Sequence, residues 1–240
     1  MAKQQPKQKS TTPGTETKAV TSYSTLSDSQ QKNWKYAFLI IAVALFFVRP
    51  ILSYHFGPSS DEVYHKVIGD FSYDYLSTAG KNDTIFHYSP NGRDDGALLL
   101  NYGPLLEVTA SALYKNFNLD PLPTRHLVIT IFTFLLFLFA GLTGKQIGGW
   151  RAGTIAMLLM VLAPRILCEA FNNPKDPPFA AGYMMAIFAL IYYFEHLPKP
   201  TWKATVLLML GIGLAFAIRV GGLLLYAYLG LFLLIALLSN

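Results

Sequence analysis

Six stretches of the chain are almost continuously apolar: Tyr36–Tyr54, Leu127–Thr143, Ala152–Cys168, Phe179–Phe194, Ala204–Ile218 and Leu223–Leu238. A membrane-crossing helix needs about 20 mostly apolar residues, so each is read as a transmembrane helix, the last two divided at Gly221-Gly222. Arg49, near the far end of the first, is placed to snorkel out of the bilayer. A further stretch, Ala97–Phe117, is interrupted by Asn101, Gly103-Pro104, Glu107 and Lys115, and central charges cost about 2.5–3.5 kcal/mol each on insertion. If it lies on the outer surface, Lys145, Arg151, Lys199 and Lys203 fall in the cytoplasm, as the positive-inside tendency favours; if it spans, all four fall outside. The pattern predicts an all-α polytopic membrane protein of about six transmembrane helices. Its large first extracytoplasmic loop carries amphipathic surface helices.

That loop, about 55–124, holds nine of the chain's 14 acidic residues. Within it Val63, Val67, Phe71 and Tyr75 recur every four residues, as on an amphipathic helix beside a membrane. Residues 1–35 are rich in Lys, Gln, Ser and Thr and poor in large apolar residues, so they predict a disordered basic cytoplasmic tail. The apolar run after it ends in Arg49-Pro50 rather than a small-residue cleavage site, which favours an uncleaved anchor. Residues 36–240 then form one transmembrane domain.

Composition agrees with lipid as the main solvent. Hydrophobic residues make up 52% of the chain and charged ones 14%, with a mean hydropathy of +0.36, whereas soluble domains are about 25% charged. The net charge of +5 invites a nucleic-acid reading. Six of the 19 basic residues lie in the tail, however, and the others are scattered singly among apolar runs, with no basic stripe interleaved with aromatics. The single cysteine, Cys168, excludes an internal disulfide and a cysteine-based zinc site, and reads as a small buried residue. No Gly-rich phosphate loop and no histidine pair at metal-ligand spacing occurs; the five histidines read as interfacial or hydrogen-bonded.

The topology draws charges to one level of the membrane. Asp61-Glu62 follows the first span, Arg125 opens the second, Arg165 lies near the outer end of the third, Lys175-Asp176 occupies the second outer loop, and Arg219 sits high in the fifth. Basic residues at outer helix ends run against the positive-inside tendency, and a bound anion compensates them. A lipid phosphate has the right charge and route, and arginine the right donors. Alternatively, each arginine snorkels or pairs with an outer carboxylate, and Ser60 or Asp61 caps the helix that starts near Val63.

Three segments carry a family resemblance: Asp61-Glu62 in the first outer loop; Asn101-Tyr102-Gly103-Pro104-Leu105-Leu106, followed by Arg125; and Asn172-Asn173-Pro174-Lys175-Asp176-Pro177-Pro178-Phe179 in the second outer loop. In this order the chain resembles the GT-C membrane glycosyltransferases, particularly the protein O-mannosyltransferase and lipid A aminoarabinose transferase branch. The resemblance implies inverting transfer of a sugar from a polyprenyl-phosphate donor to a protein, lipid or glycan acceptor, at the extracytoplasmic face of a membrane such as the bacterial inner membrane, facing the periplasm. By that analogy Asp61 acts as base, with Glu62 beside it. Lys175, Arg165 and Arg219 stabilise the lipid phosphate, Asp176 orients Lys175 or binds the acceptor, and Tyr102 and Arg125 contribute to binding. Family enzymes run to several hundred residues, so the resemblance implies that these 240 residues are an N-terminal portion. No cofactor is firmly implied, although Asp61, Glu62 and Asp176 offer oxygen ligands to Mg²⁺ or Mn²⁺. A transporter or lipid flippase, and a non-catalytic membrane scaffold, are the alternatives.

Overall fold

The computed structural model describes residues 26–88 and 102–238. The first helix, α1 (Asp28–Ser53), begins at a capping box, in which Ser27 and Gln30 satisfy each other's backbone N–H groups. Helix therefore reaches eight residues into the segment expected to be disordered; residues 1–25 of that segment lie outside the described residues. Then follow α2 (Glu62–Ser77), the short α3 (Thr84–His87) and α4 (Leu105–Phe117). The stretch read as a surface helix is thus helical from Leu105, and Asn101 lies outside the described residues.

The 42-residue helix α5 (Pro121–Leu162) leaves helical geometry at Gly148 and Gly149, with Gly149 at φ 75°. A Cβ on Gly141 would lie 3.1 Å from that of Met157, and one on Gly144 2.9 Å from that of Ala156. In a straight helix residues 141 and 157 stand about 24 Å apart, so the chain doubles back and α5 is a close helical hairpin. Its return arm does not continue to Cys168 as expected. Ala163 is extended before Pro164 (φ -69°, ψ 111°), the conformation a following proline imposes, and a separate helix α6 (Pro164–Asn172) starts there. Cys168, on α6, is exposed rather than buried.

Helices α7 (Asp176–Phe194) and α8 (Trp202–Phe216) pack so closely that a Cβ on Gly182 would meet the Ala215 backbone at 2.6 Å and one on Gly211 that of Ala186 at 2.6 Å. Small residues permit such backbone approach between apolar helices. A 3₁₀ turn (Val220–Leu223) then leads into α9 (Leu224–Leu238). Among the described residues four helical segments are long and apolar enough to cross a membrane: α1, α5, α7 and the run Val220–Leu238. Helix α8, at 15 residues, is about 22 Å long, shorter than a hydrocarbon core of about 30 Å. The architecture is all-α, with Ile40, Val43, Phe47 and Ile51 of α1 exposed as lipid-facing residues are.

Arg49 does not snorkel. It is 2% exposed, and its Nη2 donates to Thr133 Oγ1 and to the Ala170 carbonyl, each at 2.9 Å. Its guanidinium lies 4.6 Å from the ring centres of both Phe137 and Phe171. Helix α2 crosses α4 at Gly69, where a Cβ would strike the Glu107 carbonyl at 2.8 Å. The crossing is tied by Tyr114 and Ser111 donating to Asp70 and by Lys115 on Asp74 at 2.7 Å. The stripe Val63–Val67–Phe71–Tyr75 faces away from this packed side, which is lined by Glu62, His65, Ile68 and Gly69. Phe71 and Tyr75 meet Tyr88 and Phe86.

Candidate functional site

Three chain segments meet where α2 and α4 adjoin the ends of α6, α7 and α8. The first is the start of α2. Asp61 occupies the position before the helix, yet its side chain makes no capping bond and stays exposed, so it does not serve as the cap. The second is Tyr102-Gly103, which pairs in extended fashion with the break after α8: Tyr102 bridges Arg219, and Gly103 N–H donates to the Ile218 carbonyl at 3.1 Å. A Cβ on Gly103 would stand 2.0 Å from the Ala217 carbonyl oxygen, so only glycine allows this approach. The third is the start of α7, where Asn173 Oδ1 accepts from the backbone N–H of Lys175 (2.9 Å) and Asp176 (3.1 Å). That side chain supplies partners for otherwise unpaired N–H groups at the helix start.

These segments bring charged groups together around one aromatic ring. Lys175 Nζ lies 3.3 Å from the ring centre of Tyr102, and Arg219 Cζ 5.4 Å from it. Arg219 Nη2 pairs with Asp176 Oδ1 at 2.7 Å. Asp61, Tyr102, Lys175, Asp176 and Arg219, all nominated from sequence, line one cavity of about 500 Å³, together with His65 and Glu169. Tyr102 also borders a second, mainly apolar groove of about 540 Å³, lined among others by Leu76, Leu105, Val108, Phe216 and Val220. A polar chamber and an apolar trough thus share one tyrosine.

Burial and neighbouring charges set the electrostatics. Burial lowers the Lys175 ammonium to about 8, with Arg219 adding to the fall while Glu107, Asp61 and Asp176 oppose it. His65 is held neutral, pushed down to about 3 by burial and then by Lys175 and Arg125. Its Nδ1 lies 3.4 Å from Oε1 of Glu107, a buried carboxyl that desolvation raises to about 7 against the pull of Arg125 and Lys175. With the imidazole neutral, this approach is not an ion pair. Neither His65 nor Glu107 was singled out as a site residue from sequence. The available signal for His65 was its place one helical turn after Asp61, on the same side of α2; Glu107 carried none beyond its charge in an apolar run.

Three nominated residues lie elsewhere. Glu62 turns inward, 3% exposed, and does not line the cavity. Its Oε2 meets His126 Nε2 at 3.1 Å and accepts from Ser59 N–H at 3.2 Å, while Oε1 lies 3.5 Å from Arg125 Nε. Arg125 lies within this buried cluster, 2% exposed, with its Nε and Nη1 lacking hydrogen-bond partners. Arg165 stands on α6 with its side chain 86% exposed and paired to Glu169 at 3.0 Å; Glu169 lines the cavity and Arg165 does not. The proline that split the third span moved Arg165 onto this separate helix. The oxygen ligands suggested for a divalent ion do not converge either, since Glu62 faces away from Asp61. Among the described residues no group of three acidic, His or Cys side chains is placed to hold a metal.

The arrangement can hold an anion between a buried ammonium and a guanidinium, present an exposed carboxylate to a second reactant, and lay an apolar chain alongside. Set beside protein-family models, curated proteins and solved structures, the chain matches none.

Proposed function

We propose that this chain transfers a sugar from a polyprenyl-phosphate carrier to an acceptor at the extracytoplasmic face of the membrane. The observation that carries the proposal is the junction at Tyr102, where a polar cavity lined by Asp61, Lys175, Asp176 and Arg219 meets an apolar groove. A lipid-linked sugar phosphate has this division, with its phosphate and sugar at one end and its chain at the other. The resemblance of the Asp61-Glu62, Tyr102 and Lys175-Asp176 segments to GT-C enzymes points the same way.

In this reading Lys175 and Arg219 take the donor phosphate, and the polyprenyl chain runs past Tyr102 into the groove. Asp61 accepts the proton of the acceptor nucleophile as that atom attacks the anomeric carbon with inversion. The bond from the anomeric carbon to the phosphate oxygen breaks, and the electron pair leaves on the phosphate. Phosphate is a competent leaving group, so the protein's part is to position reactants and stabilise charge. Asp176 holds Arg219 in place. Glu62, fixed by Arg125 and His126, anchors the start of α2 and so aims Asp61. Counting the arms of α5 separately and including α8 gives six crossings, with the cavity outside the cytoplasm.

The test is transfer of labelled sugar from polyprenyl-phosphate donors in proteoliposomes, wild type against Asp61→Asn. Losing a general base costs roughly 10²–10⁴ in rate, and the variant is expected to lose that much while keeping fold and donor binding. Equal activity in the two removes Asp61 as base. Failure of every donor lipid to bind moves a transporter or flippase ahead.

A further inference from the structure

The end of the bundle away from the Tyr102 cavity carries a group of cations that the transferase reading does not use. Helix α5 reverses there at Gly148-Gly149, and the start of α1 packs against the elbow. Gln31 Oε1 accepts from the Trp150 backbone N–H at 3.0 Å, and Thr154 Oγ1 donates to the Trp34 carbonyl at 3.1 Å. The Phe38 ring meets the Trp150 indole edge to face, ring centres 5.4 Å apart. These contacts fix the indole, and two ammonium groups from different helices lean on it. Lys35 Nζ of α1 lies 5.7 Å and Lys145 Nζ of α5 5.5 Å from its ring centre, so they stand no further apart than those two distances end to end. Lys32, one turn before Lys35, and Arg151, next to the tryptophan, add two more cations. All four residues are exposed, and none pairs with a carboxylate among the described residues.

Like charges gathered on one ring repel each other, and an anion that reaches both relieves the repulsion while the ring face supports each cation. Depth along α1 identifies the anion. Lys35 precedes Ser53 by 18 positions (53 minus 35), about 27 Å of helix, against a hydrocarbon core of about 30 Å. With α1 across the bilayer, Lys35 therefore stands at headgroup level on the face opposite to the start of α2. Beneath it, at four-residue spacing on the same side of α1, Leu39 and Val43 are 44% and 55% exposed, a strip that acyl chains cover. A free anion meets the cations alone, whereas a phospholipid meets the cations and the strip together. We propose that the elbow binds the phosphate of one anionic phospholipid, in the leaflet opposite the Tyr102 cavity, between Lys35 and Lys145. Its chains run along Leu39 and Val43. The inference rests on α1 and α5 spanning the membrane, and not on sugar transfer.

The experiment uses the purified chain in detergent and needs no sugar donor. Phosphatidylglycerol and phosphatidylcholine compete at equal concentration, bound lipid is counted by native mass spectrometry, and inorganic phosphate is added in parallel. One phosphatidylglycerol is expected to be held in preference to phosphatidylcholine and to survive an excess of phosphate. Lys35→Gln and Lys145→Gln are each expected to reduce that preference roughly fivefold, as for one cation lost beside an anionic headgroup, and the double variant to reduce it further. Both positions are exposed, so Tm without lipid should not move. Lys199→Gln with Lys203→Gln removes two cations from the loop between α7 and α8, at the same end of the bundle but off the elbow, and is expected to keep the preference. Equal loss in the two double variants means that the general charge of this face attracts lipid, and overturns the site. Equal retention of the two lipids by wild type, or undiminished preference in Lys35→Gln with Lys145→Gln, also overturns it. Displacement of the lipid by phosphate assigns the elbow to a free anion and overturns the lipid assignment.

Discussion

Asp61 and Glu62 are neighbours in sequence and belong to two different charge clusters. Glu62 sits among Arg125, His126 and the Ser59 N–H, nearly sealed from solvent. Asp61 is exposed at the rim of a cavity whose cations, Lys175 and Arg219, lean on one tyrosine ring. The closed cluster sets its charges against one another out of solvent, although Glu62 Oε1 and Arg125 Nε and Nη1 have no hydrogen-bond partner. In the open one an ammonium rests on an aromatic face and a carboxylate lacks a capping partner. A cluster shut away from solvent holds the fold, whereas one open to a cavity is available for chemistry.

The sharpest way to break this contrast is Glu62→Ala. Removing one partner of a buried pair leaves the other charge uncompensated and costs about 3–5 kcal/mol, so thermal unfolding in detergent should show a large drop in Tm. Asp61→Ala should leave Tm within a degree or two. Equal losses in both variants mean that the two carboxylates share one structural role.

Next in size is Lys175→Met, expected to weaken binding of a polyprenyl phosphate roughly tenfold or more, since hydrogen bonds to charged groups contribute about 1.5–3 kcal/mol. The lysine's lowered value also gives a pH signature. Below about 8 Lys175 is charged and can hold the anion; as pH rises through about 8 the ammonium is lost, and affinity should fall. In Lys175→Arg the decline near 8 should vanish, because arginine stays protonated. Affinity that is flat from pH 7 to 10 in wild type removes Lys175 from the anion's contacts.

His65 gives a smaller effect with a definite sign. Its folded-state value, about 3, lies below the ordinary 6.5, so the unfolded chain takes up the proton first. Its contribution is fully present above about 6.5 and is lost as pH falls toward 3. His65→Phe should therefore lose less stability between pH 7 and 5 than wild type, as read by thermal shift. Glu107, raised to about 7, acts oppositely: its contribution is greatest below its ordinary carboxyl value and is lost as pH climbs through 7. The smallest effect is Arg165→Ala. An exposed i,i+4 pair contributes little, and transfer rate should stay within about twofold of wild type; a large loss returns Arg165 to the site.

Much of the helical plan was legible because apolar runs report on solvent directly. The break after α8, the helix from Leu105 and the gathering of Asp61, Lys175, Asp176 and Arg219 followed from such runs and the charges between them, whereas Tyr102 came only from the family resemblance. What hydrophobicity does not encode is which way a polar side chain turns. Arg49 sits near a helix end, as a snorkelling residue does, yet Phe137, Phe171 and Thr133 receive it inside the bundle. Glu62 looks equivalent to Asp61 until α5 supplies Arg125 and His126 on one side only. Pro164 was visible, but its effect in splitting a span was masked by the apolar residues on both sides.

The link between Tyr102 and Arg219 also has a bearing on biogenesis. Asp176 meets Arg219 across 43 positions of chain (219 minus 176), and Gly103 meets Ile218 across 115 (218 minus 103). During synthesis, Asp61, Tyr102 and Lys175 all reach the membrane before their last partner has left the ribosome. The half-made protein therefore lacks both the guanidinium and the strap that steadies the tyrosine. The chamber is completed only when the chain after α8 has turned back to Gly103, so the cavity does not exist in the nascent chain before that point.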